Sequence, residues 1–296
     1  MNIVVIGAGS VGMLMASFLA ERYDVTVVVR REEQYQGIHT NGLCRKNIDG
    51  STSQRKISVT TELKAIPSHS LVIVSVKYAQ LQSLYTELAK LSYETPILFV
   101  QNGLAHFEEA LALPQQHIAF GSCQFGAQKE NDWTVIHRGI GPLKLAVERG
   151  SQEIFQSLKK VESNLLPLEF VEDAESMLFE KALLNCFINP LTAVLKVKNG
   201  ELVTNRHTLT LLENIYEELM EAFPEEKERF TFEQVVRLCE KTAANTSSML
   251  QDIQAGRKTE VESIVGAVIR KAKTKGKDLP TLKTLYQLVL AIEGES

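Results

Sequence analysis

Residues 2–12 read NIVVIGAGSVG, an apolar run followed at once by a glycine-rich loop. The run at residues 2–7 predicts a buried β-strand, and residues 11–23 predict a helix directly after the loop. A GxGxxG pattern that follows a strand and opens a helix is the context that the dinucleotide-binding fingerprint requires. This stretch therefore predicts a Rossmann-type fold at the start of the chain.

Each glycine of the loop has its own expected role. Gly7 permits the tight turn, Gly9 lets a pyrophosphate approach the backbone, and Gly12 lets helix and strand pack closely. The helix N-terminus supplies amide donors and a partial positive charge. The alternative is a purely structural turn between a strand and a helix. The candidate cofactor-binding residues of the loop are Gly7, Ala8, Gly9, Ser10, Val11 and Gly12.

The second predicted strand, residues 24–30, indicates which dinucleotide binds. An NAD enzyme usually carries an acidic residue about 20 residues past the glycines, where it binds the ribose 2′-hydroxyl. This chain has Val29, Arg30 and Arg31 there. An arginine can bind a 2′-phosphate through charge-assisted hydrogen bonds. We therefore predict NADP(H), with Arg30 the better candidate because it closes the strand. The alternative is that both arginines are solvated loop residues.

Further apolar runs extend the predicted sheet. Residues 71–77 and 96–103 predict buried strands, with a helix from 78 to 91 between them. Strands of Val and Ile without alternation are typical of a parallel sheet that is covered on both faces. The segments that predict a β-rich extension are 117–127, 133–139 and 142–148.

The sequence pattern changes near residue 172, where long amphipathic helical patterns begin. We place the domain boundary after the strand-like LEFV at 168–171. The predicted fold class is α/β, with a Rossmann-type NADP(H)-binding domain at 1–171 and an all-helical domain at 172–296. The acidic stretch at 223–230 predicts a solvated turn between helices. The expected helix breaks are Pro190, Pro224, Gly256 and Pro280.

Composition excludes several classes of protein. The 296-residue chain is 44% hydrophobic with a net charge of −4, which argues against nucleic-acid binding. No apolar run approaches the ~18 residues of a membrane span, and the N-terminus lacks the basic region of a signal peptide. The four cysteines and six histidines show no metal-ligand spacing. We therefore expect reduced thiols, a cytoplasmic location and no metal site.

A polar stripe interrupts the apolar segment KALLNCFINP at 181–190. Lys181, Asn185 and Asn189 recur every four residues, so a helix places them on one narrow line. The rest of this helix is apolar all round, which indicates burial. Each unpaired buried polar group would cost ~1–3 kcal/mol. The stripe thus predicts a ligand site, and the alternative is a snorkelling lysine with two interhelical amides.

The glycine loop and the lysine helix together resemble the ketopantoate reductase (2-dehydropantoate 2-reductase) family over nearly the whole chain. A Lys-x-x-x-Asn pair also occurs in related hydroxyacid dehydrogenases, whereas the second asparagine and the SSMLQDI…RKTE segment point to this family. The matching segments are GAGSVG (7–12), SVKYAQ (75–80), QNG (101–103), KALLNCFINPLTA (181–193), NG (199–200) and NTSSMLQDIQAGRKTE (245–260).

The resemblance implies an enzyme whose Rossmann domain holds NADPH and whose helical domain carries the substrate and closes over the cofactor. The implied reaction is the reduction of ketopantoate to (R)-pantoate on the route to pantothenate and coenzyme A. Other small 2-keto acids remain alternative substrates, and an NADPH-sensing protein without catalysis is a rival from another class. The sequence leaves the oligomeric state open, with a homodimer among the assemblies that it allows.

The resemblance also implies roles for single residues. Lys181 becomes the proton donor to the ketone oxygen, which agrees with the need to stabilise a developing alkoxide. Glu260 would contact the substrate's terminal hydroxyl near the nicotinamide ribose. Asn102 would lie against both cofactor and substrate, Lys77 near the cofactor, and the backbone of Ala127 at the nicotinamide end.

The remaining candidates are substrate-binding residues. The amides of Asn185 and Asn189 can hydrogen-bond the oxygens of a keto acid. The resemblance implies that Ser248 binds the carboxylate, although the neighbouring Ser247 is an open alternative, and that Asn199 also binds substrate. The chain departs from the family at Val265, where many members carry asparagine, and in the 223–230 segment.

Overall fold

The computed structural model describes residues 1–63, 66–67 and 69–294. The chain forms two compact units. The first contains Met1–Gln101 and His106–Met177, and the second contains Asn102–Ala105 and Leu178–Ser296. The assignment of Asn102–Ala105 to the second unit is a feature that the sequence did not predict. The functional domain boundary after residue 171 stays a prediction.

The first unit is built on two sheets. The larger sheet has the strand order β12-β11-β8-β7-β6-β1-β2-β5, and the smaller has the order β4-β3-β10-β9. The strands are β1 (Asn2–Ile6), β2 (Asp24–Val28), β3 (Leu43–Lys46), β4 (Thr52–Arg55), β5 (Ser58–Thr60), β6 (Leu71–Val74), β7 (Ile97–Phe99), β8 (Ile118–Cys123), β9 (Gly126–Lys129), β10 (Thr134–Gly139), β11 (Leu143–Arg149) and β12 (Leu168–Val171).

The larger sheet is parallel from β5 to β8, and β11 joins β8 antiparallel. Strands β6, β7 and β8 are buried at every position, which explains the unbroken apolar sequences of β6 and β7. The predicted parallel sheet is confirmed. The segment 117–127 was predicted as one β-rich piece, but β8 belongs to the larger sheet and β9 to the smaller.

The helices of the first unit are shorter than their sequence patterns. The helix predicted at 11–23 ends at Leu19, because the amides of Glu21 and Arg22 bond to carbonyls three residues back and tighten the last turn. The helices of this unit are α1 (Ser10–Leu19), α2 (Glu32–Asn41), α3 (Tyr78–Leu88), α4 (His106–Leu111) and α5 (Gln152–Gln156), with a 3₁₀ turn at Ser157–Val161.

Beyond Leu178, every regular element that the described residues of the second unit form is a helix, as predicted. It includes a 3₁₀ turn at Pro224–Glu228 and a π-helical turn at Glu262–Gly266. Its helices are α6 (Ala174–Leu195), which begins in the first unit, α7 (Glu201–Thr204), α8 (Arg206–Ala222), α9 (Phe232–Lys241), α10 (Ser248–Gln254), α11 (Ala267–Thr274) and α12 (Pro280–Glu293).

Helix α6 corrects two expectations from the sequence. Pro190 was expected to break it, but the helix continues to Leu195 because the turn after the proline is held by packing, with Leu191, Thr192 and Ala193 fully buried. The helix is also long and apolar enough to span a membrane, with a mean hydropathy of 1.3 in its best window. That window is 67% buried within the protein, as in a core helix.

The prediction of a solvated turn at 223–230 is confirmed in part, because Pro224–Glu228 forms a turn with mostly exposed residues, but both ends of the segment are buried. Phe223 and Phe230 are 0% and 5% exposed, and their rings pack on Phe179 and Phe187 of α6. Glu226 between them is buried as well, and this burial raises the pKa of its carboxyl group. The two phenylalanines therefore anchor the segment in the helical core, which the many charges of the sequence concealed.

Candidate functional site

The glycine loop of the first unit has the backbone geometry of a tight strand-to-helix turn. Gly7 lies at a φ of 103°, a conformation that side chains rarely adopt. Its amide donates to the carbonyl of Val28 at 3.0 Å, and the Ser75 hydroxyl donates to its carbonyl at 2.9 Å. A Cβ atom on Gly12 would lie 2.1 Å from the Gly7 oxygen, so only glycine fits there.

Gly9 differs from these two glycines because a Cβ atom built on it meets no protein atom within 4 Å. It is the N-cap of α1, and no side chain caps that helix end. Open space in front of an uncapped helix N-terminus fits a pyrophosphate group. Ala8 and Ser10 complete the loop by accepting hydrogen bonds from the Gln34 side chain and the Lys129 amide, at 2.8 and 3.2 Å. Val11 is half-buried on the core.

The two arginines after β2 lie in different surroundings. The expectation that Arg30 closes the strand is wrong, because β2 ends at Val28 and the chain turns towards α2, whose N-cap is Arg31. Arg31 is ion-paired with Asp132, which also accepts a hydrogen bond from Lys129 at 2.6 Å. Burial raises the pKa of Asp132, but these two cations outweigh that effect and hold its pKa below the ordinary value. Arg30 is exposed.

The other candidates of the first unit lie at strand and helix ends. Lys77 is the N-cap residue of α3, three positions past β6, and is half-buried. Ala127 lies in β9 opposite His137 of β10. His137 is 1% exposed and its ring packs edge-on against Phe18, so it belongs to the core.

Two of the three polar residues in the stripe remain partly accessible on α6, a helix that is otherwise mostly buried. Lys181 and Asn185 are half-buried, while Asn189 is 6% exposed. The flanking residues Ala182 and Leu183 have no exposed surface, and the same is true of Cys186 and Phe187. Burial raises the pKa of the Cys186 thiol, so this cysteine remains protonated beside the stripe.

Asn102 and Glu260 are brought together within the second unit, although 158 positions separate them in the sequence. The Asn102 side-chain amide donates to the Glu260 carboxylate at 2.8 Å. Both residues are half-buried. The contact holds an amide and a carboxylate at one place, where together they offer a ligand both donors and acceptors.

Ser247 and Ser248 differ in what their hydroxyls do. Ser247 is the N-cap of α10, and its oxygen accepts from the Leu250 amide at 3.1 Å. The Thr192 hydroxyl lies 2.7 Å from the same oxygen, and Ser247 is 6% exposed. Ser248, the first residue of the helix, is exposed. Of the two hydroxyl groups, that of Ser248 is therefore the more exposed.

Asn199 lies in the turn before α7 and is 8% exposed. Its side-chain amide donates to the Thr242 hydroxyl at 3.0 Å, and its backbone amide donates to the Asn245 carbonyl at 3.1 Å. A Cβ atom on the next residue, Gly200, would lie 2.6 Å from that of Ala243. The turn is thus fixed against the segment that leads into α10.

Three residues that support this arrangement were missed in the sequence. Thr192 follows Asn189 by three positions, so an extension of the polar stripe would have found it. Thr242 and Ser263 carry no such signal, because only the folded chain brings them to Asn199 and Asn102. Val265, the departure from the family pattern, has no exposed surface and belongs to the helical core.

The candidates therefore divide between the units. The first unit holds the glycine loop and the candidates at strand and helix ends, and the second holds a lysine, amides, a serine and a carboxylate. The first-unit candidates are the loop 7–12, Arg30, Lys77 and Ala127, and the second-unit candidates are Asn102, Lys181, Asn185, Asn189, Asn199, Ser248 and Glu260.

Comparison with known proteins gives consistent matches over the full length. The chain is 35% identical to 2-dehydropantoate 2-reductase of Bacillus subtilis (strain 168), over 99% of this chain and 98% of that protein. It is also 35% identical to the enzyme of the same name from Listeria innocua, over 99% and 97%.

Solved structures agree in fold. The crystal structure of a probable 2-dehydropantoate 2-reductase from Bacillus subtilis matches with a TM-score of 0.86 at 33% identity, covering 99% of this chain and all of that one. A ternary structure of D-mandelate dehydrogenase with NADH and anilino(oxo)acetate matches with a TM-score of 0.85 at 25% identity, covering 99% and 98%.

Family models match both units. The model described as ketopantoate reductase PanE/ApbA matches residues 3–149, and the model of its C-terminal region matches residues 173–293. Together they cover most of the chain, and the relatives match it end to end. The chain belongs to the ketopantoate reductase PanE/ApbA family.

Proposed function

We propose that this protein catalyses the NADPH-dependent reduction of 2-dehydropantoate to (R)-pantoate, a step towards pantothenate and coenzyme A. The observation that carries the proposal is the half-open polar stripe of Lys181 and Asn185 on the otherwise mostly buried helix α6. Partial burial of such polar groups on a core helix costs stability. Family membership supplies the reaction in which a lysine and amides at a ketone are needed.

The first unit is the proposed NADP(H)-binding domain. The open space at Gly9 and the uncapped N-terminus of α1 support a pyrophosphate site. The exposed Arg30 supports binding of a 2′-phosphate. We propose that Lys77 and the backbone of Ala127 complete the cofactor site. When bound, NADPH supplies the hydride.

The second unit is the proposed substrate and catalytic domain. Hydride addition to the ketone carbon leaves negative charge on its oxygen, and the Lys181 ammonium stabilises that charge and donates the proton. Solvent then returns a proton to the lysine. The products are the 2-hydroxy acid and the oxidised cofactor, so one hydride and one proton account for the reduction.

The remaining groups of the second unit orient the keto acid. We propose that the exposed Ser248 hydroxyl binds the carboxylate and that Glu260, hydrogen-bonded by Asn102, accepts from the substrate's terminal hydroxyl. Asn185, Asn189 and Asn199 supply amides to the other oxygens. Because Glu260 would accept a hydrogen bond from the terminal hydroxyl, a substrate without that hydroxyl would leave Glu260 without this partner and would be disfavoured.

A second candidate function is the reduction of another small 2-keto acid. D-mandelate dehydrogenase, which shares the fold, has been crystallised with NADH and anilino(oxo)acetate, an aromatic oxamate without a terminal hydroxyl. In that protein the same scaffold therefore accommodates another carboxylate ligand and NADH. A sensor without catalysis is a weaker candidate, since it would not require a lysine at the keto-acid site.

The discriminating experiment follows NADPH oxidation by the purified protein with 2-dehydropantoate, pyruvate, 2-oxoisovalerate and phenylglyoxylate. The proposal predicts the highest kcat/KM for 2-dehydropantoate. A higher value for phenylglyoxylate or 2-oxoisovalerate would favour the second candidate. Tight NADPH binding without turnover of any keto acid would favour the sensor.

We further propose a cytoplasmic location, which the four free cysteines and the need for a reduced cofactor pool support. A homodimer stays a prediction. Sedimentation at micromolar concentration would test it directly.

A further inference from the structure

Ser263 lies in the π-helical turn Glu262–Gly266, three positions after Glu260. Its side chain is buried, with 1% of the residue exposed. Single π-turns are rare in proteins as a whole, but those that occur often lie at functional sites. A buried hydroxyl at such a turn needs partners, so the bonds that it makes report what the turn holds in place.

The Ser263 hydroxyl contacts the backbone of both members of the Asn102–Glu260 pair. Its oxygen lies 3.2 Å from the Asn102 carbonyl and 3.1 Å from the Glu260 carbonyl. The one hydroxyl proton is shared between these two acceptors. The side chains of the same two residues meet at 2.8 Å. The pair is therefore joined twice, once through its side chains and once through Ser263.

The backbone around Ser263 reinforces this link. The Leu104 amide donates to the Ser263 carbonyl at 2.9 Å. Gly103 has a φ of 85°, and a Cβ atom there would lie 2.1 Å from the same carbonyl oxygen. The segment Asn102–Ala105 is thus packed so closely on the π-turn that only glycine fits at its second position.

We propose that Ser263 is a positioning residue that fixes the Asn102–Glu260 pair in the arrangement that keto-acid reduction requires. This inference rests on the proposed function of Glu260 and Asn102 as substrate-binding groups. Ser263 itself acts through these two residues. A displacement of about 1 Å at a reacting group can cost on the order of 100-fold in rate. We therefore expect Ser263→Ala to lower kcat/KM for the keto acid by roughly 10- to 100-fold.

The test is a double-mutant cycle with Ser263→Ala and Asn102→Ala, each assayed alone and together with NADPH and 2-dehydropantoate. If Ser263 acts through the pair, its removal lowers kcat/KM in the parent enzyme but has almost no further effect once Asn102→Ala has broken the pair. Equal fold-losses in both backgrounds would overturn the proposal. NADPH affinity, measured by fluorescence titration, should stay within twofold of the parent enzyme.

Ser122→Ala is the matched control. Ser122 is also 1% exposed, and among the described residues its hydroxyl has no hydrogen-bond partner. It lies in β8 of the first unit, whereas the proposed substrate residues belong to the second. This variant should keep the parent kcat/KM. A loss as large as that of Ser263→Ala would mean that any buried serine deletion impairs the enzyme, which would also overturn the proposal.

Hydrogen exchange separates this proposal from the proposed function. Ser263→Ala should speed exchange of the Leu104 amide at least tenfold, while amides in the core of α8 keep their parent rates. If the parent enzyme reduces no keto acid, the proposed function fails, and the exchange result alone decides whether Ser263 holds the segment. Unchanged exchange at Leu104 would overturn the positioning role.

Discussion

Lys181 is the residue on which the proposed chemistry depends most directly. It lies half-buried on α6, one turn before Asn185. A general acid contributes at the transition state, when charge develops on the ketone oxygen. We expect Lys181→Ala to lower kcat by roughly 10²–10⁴ while NADPH binding and the thermal midpoint remain close to the parent values.

Lys198 offers a matched control for this variant. It is an exposed lysine of the same unit, in the turn before α7. Lys198→Ala should leave kcat unchanged. The structural alternative for Lys181 makes the opposite prediction, namely a lower thermal midpoint with a near-normal rate of single-turnover hydride transfer. That result would remove Lys181 from the mechanism.

The adjacent serines at the start of α10 give a prediction with two distinct outcomes. Ser247→Ala removes a helix N-cap and the contact with Thr192, so it should lower the free energy of unfolding by about 1 kcal/mol. Ser248→Ala should leave stability unchanged and raise the KM for the keto acid. Urea unfolding and steady-state kinetics on both variants measure the two effects. A reversal of the two patterns would make Ser247 the carboxylate ligand.

The two arginines after β2 form a similar pair. Arg30→Ala should raise the KM for NADPH at least tenfold more than that for NADH, because only NADPH carries a 2′-phosphate. Arg31→Ala should have a smaller effect, since the Arg31 guanidinium is already paired with Asp132. The measurement is steady-state kinetics with both cofactors. Equal changes for the two cofactors would show that Arg30 does not bind the phosphate.

For single residues, the sequence predicts which side chains share a helix face better than it predicts which hydrogen bonds and ion pairs they make. The spacing of Lys181, Asn185 and Asn189 predicts a stripe on one helix, and the structure places all three on α6. The commitment of Ser247 to a helix cap and of Arg31 to Asp132 depends on partners distant in sequence. Local pattern does not contain that information, so both alternatives stayed open.

At the scale of elements, the packing of β7, β8 and α4 carries a pH dependence. His106, the first residue of α4, is fully buried beside Phe99 and Phe120. Neither of its ring nitrogens has a hydrogen-bond partner among the described residues. Complete burial lowers the pKa of His106 from 6.5 to about 3. The ring is therefore neutral in the folded protein at any pH near neutrality.

This burial predicts a loss of stability in acid. Below pH 6.5 the unfolded chain binds a proton at His106 that the folded chain does not bind until about pH 3. The contribution of neutral, buried His106 to the free energy of unfolding is complete above pH 6.5. It falls by about 1.4 kcal/mol for each pH unit below that. Because leucine does not titrate, we expect the free energy of unfolding of His106→Leu, minus that of the parent enzyme, to increase with that slope as the pH falls from 6 to 4. Urea unfolding curves at each pH provide the measurement, and parallel profiles would contradict the account.

Element boundaries were less predictable than element types. The strands predicted at 2–7, 24–30, 71–77 and 96–103 are real but each is shorter than predicted. Apolar residues continue into the turns that follow because these turns are also buried, as at Val29 and Val100. The strands β3 and β4 were missed because LCRK and TSQR carry polar residues. They belong to the smaller sheet because β3 pairs with both β4 and β10.

At the scale of the whole molecule, the order of the two units was predictable, but the set of segments that belongs to each unit was not. A glycine loop after the first strand and long amphipathic helices after residue 172 predict a Rossmann-type unit followed by a helical one. The segment Asn102–Ala105 nevertheless belongs to the helical unit. Its membership follows from contacts of Gly103 and Leu104 with Ser263, which no local pattern encodes.

The central claim for the molecule is that a hydride passes from NADPH to the ketone carbon of 2-dehydropantoate. The direct measurement uses NADPH carrying two deuterium atoms at C4 of the nicotinamide, followed by mass spectrometry of the isolated product. The account predicts pantoate that contains one deuterium per molecule, and no such product from Lys181→Ala within the same few turnovers. Pantoate without deuterium, or no pantoate from the parent enzyme, would contradict it.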